Sequence, residues 1–161
     1  MKIINQLLNK KDFIDYLESK HLSRGVDKII LHHTSDSIES WNGESSILDY
    51  KKTYESKGWK SGPHLFIAPE GIYLFTDMNI QGVHANDGNK NSIGIEMVGN
   101  YDNFFPSGCI WENTELVLTS LLKKFNLEIK DIHFHRRYNA KKSCPGKAVT
   151  KKKIREILKL C

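Results

Sequence analysis

The sequence predicts an α/β domain with a central mixed β-sheet flanked by helices. Three observations predict it. Short apolar, β-branched runs at 28–33 and 92–98 read as buried strands, and helix-like stretches lie between such runs. Pro69-Glu70-Gly71 is turn chemistry between two further strand-like runs, 64–68 and 72–76, which makes a β-hairpin. No internal repeat, low-complexity linker or second domain interrupts the 161 residues, so one unit is expected.

Taken in order, 11–20 carries Phe13, Ile14 and Leu17 at helical spacing, and it makes 1–26 a helical extension ahead of a core at about 27–150. The run Lys-Ile-Ile-Leu-His-His at 28–33 is a strand that ends in histidines. Residues 45–57 are helix-like, with Gly58 as a stop. After the hairpin, 86–91 is a polar loop and Gly99-Asn100 closes the strand that follows. Asn113 is a good N-cap for a helix to about Phe125, with Leu116, Leu121 and Leu122 for the core. A brief strand is expected at 131–135, and Thr150 caps a final helix through Lys159.

Hydrophobic residues make up 39% of the chain and charged residues 27%, a globular rather than a disordered composition. No apolar run approaches the roughly 18 residues that span a bilayer, so membrane insertion is not expected. The first eleven residues lack an apolar h-region and a small-residue cleavage site, so synthesis and retention in the cytoplasm are expected. Cys109, Cys144 and Cys161 are too few, and odd in number, for a disulfide framework. The net charge of +5 suits an acidic partner, and much of the excess lies in Lys141, Lys142, Lys147, Lys151, Lys152, Lys153 and Arg155. No nucleic-acid-binding motif accompanies that charge, and a solvated basic surface explains it as well.

The seven histidines carry more information. His32 and His33 end one predicted strand, His64 begins another, and His133 and His135 lie on a third. Cys144 follows His135 by nine positions, across a loop. Imidazoles and a thiolate together suit Zn²⁺, and three protein ligands leave a fourth position open for water. Glu96 stands inside an apolar strand with Ile93, Ile95 and Met97 on the opposite face, where a carboxylate is costly unless it is paired or faces a cleft.

Three segments occur in order: Ile30-Leu31-His32-His33-Thr34, then 91–100 (Asn-Ser-Ile-Gly-Ile-Glu-Met-Val-Gly-Asn), then His135-Arg136 with Ser143-Cys144-Pro145-Gly146. The set resembles the zinc-dependent N-acetylmuramoyl-L-alanine amidases, the type-2 family that includes phage amidase-type lysozymes and cytosolic recycling amidases and is related to the peptidoglycan recognition proteins. The resemblance implies one zinc per chain on His32, His135 and Cys144, with His133 as rival to His135 and His33 in a structural place. It implies Glu96 as general base and Lys142 as the group that stabilises an oxyanion, with His84 and His64 at the substrate groove. The implied reaction is hydrolysis of the amide between N-acetylmuramic acid and L-alanine in peptidoglycan or muropeptides, by a monomer acting as an endolysin released on host lysis or as a recycling enzyme. A recognition module without catalysis is the alternative. One departure stands out: Pro63 occupies the place where many phage-type members carry a catalytic tyrosine.

Overall fold

The computed structural model describes residues 1–158; Lys159, the expected end of the last helix, and Cys161 lie outside the described residues. Six strands form one sheet, in the order β1-β4-β3-β5-β2-β6. They are β1 (Gln6–Leu8), β2 (Lys28–His33), β3 (Leu65–Ala68), β4 (Gly71–Leu74), β5 (Ser92–Met97) and β6 (Ile132–Phe134). The sheet is mixed as expected: β3, β5, β2 and β6 pair in parallel, whereas β1-β4 and β4-β3 are antiparallel. Four helices accompany it: α1 (Lys10–Ser19), α2 (Gly43–Ser56), α3 (Gly108–Phe125) and α4 (Lys151–Leu158).

Strand register decides which side chains share a face. His32 is the partner of Glu96, and Glu96 in turn the partner of Phe66, so these three rise from one face. Helix α2 covers that face, with the Tyr50 ring 5.1 Å from the Phe66 ring. Leu31, Ile95 and Leu65 are register partners pointing the other way and are fully buried. Helix α3 packs on β3 and β4, and α1 packs on α3. The parallel strands β2 and β5 are buried almost throughout, which is why they read as near-continuous apolar runs.

Two elements differ from expectation. The N-terminal segment holds an edge strand as well as a helix: β1 pairs with β4 through Gln6–Leu74 and Leu8–Ile72. The approach is close at Gly71, where an added Cβ would lie 2.6 Å from the Leu8 carbonyl oxygen. Helix α3 begins at Gly108 with Ser107 as N-cap, and Asn113 is a buried residue inside it rather than its cap. Ile110 and Trp111 are buried in the first turns, so core packing draws the helix start further back than the capping signal.

Candidate metal centre

The carboxyl ends of β2, β5 and β6 open onto a cleft of about 480 Å³ whose lining includes His32, His84, Glu96, His135, Lys142 and Cys144. His32 is the penultimate residue of β2, and His135 follows β6 directly, in a single 3₁₀ turn. Cys144 arrives on the loop that precedes α4. His32 Nδ1 lies 3.2 Å from His135 Nδ1 and 3.6 Å from Cys144 Sγ. The ligating atoms of the three residues all lie within 4.8 Å of one another.

The two spacings from His32 fit a zinc ion. Tetrahedral coordination with the usual Zn–N and Zn–S lengths puts two nitrogens about 3.3 Å apart and nitrogen and sulfur about 3.6 Å apart. Burial lowers the pKa of His32, with His135 and His33 adding to it, and burial together with Lys142 lowers that of His135. Both imidazoles are thus neutral, the form that ligates a metal. Burial, then Glu96, pushes the Cys144 thiol up. A buried thiol of that kind ionises when a cation shares its site. The His33 backbone N–H donates to Cys144 Sγ at 3.4 Å and is ready to support the thiolate.

The loop is held by the residue after His135. Arg136 Nη1 donates to the carbonyls of Ser143 and Gly146 at 3.0 and 2.9 Å, and Nη2 donates to that of Val149 at 2.7 Å. The Arg136 backbone N–H donates to the Cys144 carbonyl at 3.0 Å. One arginine therefore ties the segment that carries Cys144 to the strand end that carries His135.

Glu96 is buried at the cleft wall without a hydrogen-bond partner among the described residues, and burial, with Asp36 adding, pushes its carboxyl up to about 8. Lys142 is exposed at the rim. His33 faces away from the trio: its Nδ1 accepts from the Tyr101 N–H at 3.1 Å, and its Nε2 lies 2.9 Å from Ser35 Oγ. His133 is the register partner of Ile30, two residues down the strand from His32, and its Nδ1 is 2.5 Å from the Tyr138 hydroxyl.

His64, expected at the groove, does not line the cleft. It is fully buried, its Nδ1 accepts from the Gly94 N–H at 2.9 Å, and its Nε2 lies 3.0 Å from the Ile80 carbonyl. Both ring nitrogens are spent on the protein, and burial, with Arg24 adding, pushes its pKa down to about 3. Sequence reasoning missed residues that do line the cleft, among them Tyr50, Tyr54, Lys57 and Trp59 on or just after α2. The aromatic residues at 50, 54 and 59 were the available signal, but their spacing only says that α2 has an apolar side.

The α/β sheet thus brings a His-His-Cys trio that could hold a metal ion to the carboxyl ends of its parallel strands. The N-acetylmuramoyl-L-alanine amidase family profile matches residues 22–147, and the chain belongs to that family. Among solved structures it is similar to the endolysin N-acetylmuramoyl-L-alanine amidase LysCS of Clostridium intestinale URNW, with 23% identity over 88% of this chain and 90% of that one and a TM-score of 0.72. It is also similar to bumblebee PGRP-SA, with 21% identity over 96% of both chains and a TM-score of 0.69. A point mutant of Drosophila PGRP-LB, solved in complex with tracheal cytotoxin, has 22% identity over 81% of this chain and 80% of that one, with a TM-score of 0.66. No curated protein matches the sequence. Among the described residues, no helix is long and apolar enough to cross a membrane.

Proposed function

We propose that the protein is a zinc-dependent amidase that hydrolyses the bond between N-acetylmuramic acid and L-alanine in peptidoglycan or muropeptides. The observation that carries this reading is the convergence of His32, His135 and Cys144 at ligand spacing, in a cleft that also holds a carboxylate, Glu96, with no hydrogen-bond partner among the described residues. A zinc ion held by these three side chains would supply Lewis acidity to a carbonyl oxygen, acidify a water and favour the ionised form of Glu96.

The chain's own residues supply the rest. Glu96 takes a proton from the attacking water onto a carboxylate oxygen and returns it to the departing L-alanine nitrogen. The Lys142 ammonium faces the oxygen that gains negative charge when the lactyl carbonyl becomes tetrahedral. Cleavage of the C–N bond leaves a lactyl carboxylate on the sugar and a free L-alanine amine. A muramidase would instead need two carboxylates about a glycosidic bond.

The reading is tested by digesting purified peptidoglycan and, in parallel, soluble muropeptides. New L-alanine amino termini, unchanged reducing ends, loss of the reaction with EDTA and its return with Zn²⁺ are the expected results. A rise in reducing ends, or new amino termini on another residue, would exclude the amidase. Binding without cleavage by zinc-loaded protein would favour the recognition module. Comparing rates on sacculi and on soluble muropeptides separates an endolysin from a recycling enzyme.

A further inference from the structure

His84 lies beside the trio without belonging to it. Its Nδ1 is 3.0 Å from His32 Nε2, the ring nitrogen of His32 that faces away from His135 and Cys144. We propose that His84 is a positioning residue that fixes the tautomer and orientation of His32, so that Nδ1 is the nitrogen offered to zinc. This rests on the reading of the trio as a zinc site.

The hydrogen-bond chain leaves one assignment. A neutral His32 that offers the Nδ1 lone pair carries its proton on Nε2, and that N–H needs an acceptor because the ring is buried. His84 Nδ1 is in place to accept. A neutral His84 then carries its own proton on Nε2, which lies 3.3 Å from Ser92 Oγ. The Ser92 hydroxyl donates onward to the Asn89 carbonyl at 3.0 Å. Each link has one donor and one acceptor, so reversing the His32 tautomer would set two acceptors or two donors against each other.

The surroundings are built to hold the ring. The side-chain oxygen of Asn89 accepts from the backbone N–H groups of His84 and Ala85, at 2.9 and 2.7 Å. An added Cβ at Gly94 would lie 2.7 Å from His84 Nε2, and one at Gly82 would lie 2.8 Å from His84 Cδ2. The run Ser92-Ile93-Gly94 thereby gains a physical reason: its serine receives the far end of the His84 ring, and its glycine leaves room for it. His84 also lines the cleft, but both its nitrogens are engaged by protein, which leaves less of it for a substrate.

The test is zinc affinity, read by competition with a chromophoric chelator on the full chain. His84→Ala is expected to bind zinc roughly 10–100-fold more weakly. His84→Asn is expected to recover most of that loss, because its amide oxygen falls where Nδ1 stood. In the zinc-loaded wild type, nitrogen-correlated proton spectra should show the His32 proton on Nε2 and no proton on His84 Nδ1. Unchanged affinity in His84→Ala, no recovery in His84→Asn, or a proton on His32 Nδ1 would each overturn the proposal. The wild-type spectrum decides it even if the variants do not fold. A wild type that binds no zinc would remove the zinc reading and this inference together. A zinc-binding wild type with an indifferent His84→Ala would remove this inference alone.

Discussion

His32 and Glu96 are register partners on adjacent parallel strands, so an imidazole of the proposed metal trio and a carboxylate with no hydrogen-bond partner among the described residues rise side by side from one face of the sheet. Strand pairing, not loop geometry, sets their relation. That is the more rigid of the two ways to fix one side chain beside another.

Glu96→Gln should keep the fold and the zinc and lower turnover by about 10²–10⁴-fold, the usual cost of losing a general base. It should also change stability against pH in the zinc-free protein. The Glu96 carboxyl is raised from 4.5 to about 8 on folding, so the folded state prefers the protonated form. Its contribution is fully present below about pH 4.5 and is lost as pH rises through about 8. Glutamine does not ionise, so the variant should gain on the wild type across that window. Chemical denaturation of both proteins at pH 5 and pH 8 measures the difference, and parallel pH profiles would contradict the assigned burial cost.

Much of this was legible in the sequence, and the parts that were not share a cause. Strands β2 and β5 were readable because burial on both faces writes a continuous apolar run. The ordered segments that hold His32, then Glu96, then His135 with Cys144 carried the resemblance that implied the His32, His135 and Cys144 trio. Strand β1 was not readable, since three residues carry no period and the pairing depends on Gly71, far along the chain. The start of α3 was misplaced because Asn113 has the right chemistry for a cap, while burial of Ile110 and Trp111 decides where the helix begins. His64 was placed at the groove by the resemblance, whereas its ring hydrogen-bonds to the Gly94 backbone on the adjacent strand. A residue-by-residue reading cannot see which side of a strand the cleft takes.

Arg136 offers a sharper test of the loop. Its guanidinium donates to three carbonyls in the segment that bears Cys144. Arg136→Leu should cost on the order of 2–3 kcal/mol of stability, since hydrogen bonds from a charged donor are worth more than neutral ones and their acceptors are left short. Zinc affinity should fall with it, because Cys144 loses its anchor. Arg136→Lys should recover little, because an ammonium lacks the fork that spans three acceptors. Thermal unfolding with and without zinc measures both effects, and an unperturbed Arg136→Lys would show that charge alone suffices.

The choice between the two histidines of the β6 region can be checked by metal content. His133 pairs in register with Ile30, two residues before His32, which sets it about 6–7 Å down the strand from the trio. His133→Ala should retain a full equivalent of zinc, whereas His135→Ala should fall well below one. Zinc lost from His133→Ala but kept by His135→Ala would reverse the assignment.

The final prediction concerns the phenol that Pro63 cannot supply. Tyr54 on α2 reaches the same cleft as Glu96, Lys142 and Cys144. Its ring is held on several sides: Trp59 stacks on it at 5.3 Å, Phe75 meets it edge-on at 5.9 Å, and a Cβ at Gly62 would lie 2.9 Å from its ring carbons. No hydrogen bond engages its hydroxyl among the described residues. Burial, then the nearby Glu96, Tyr50 and Cys144, raises its pKa, so it stays protonated and can donate. A rigid ring with a free donor is the arrangement that stabilises charge developing on a substrate oxygen. Tyr54→Phe should therefore lower kcat by about 10–10³-fold at unchanged zinc affinity and unchanged fold, with the loss smaller in KM than in kcat. The phenylalanine keeps the packing, so a fall in thermal stability would not explain such a loss. Wild-type turnover in Tyr54→Phe would return the residue to the aromatic wall and leave Lys142 as the donor from this chain.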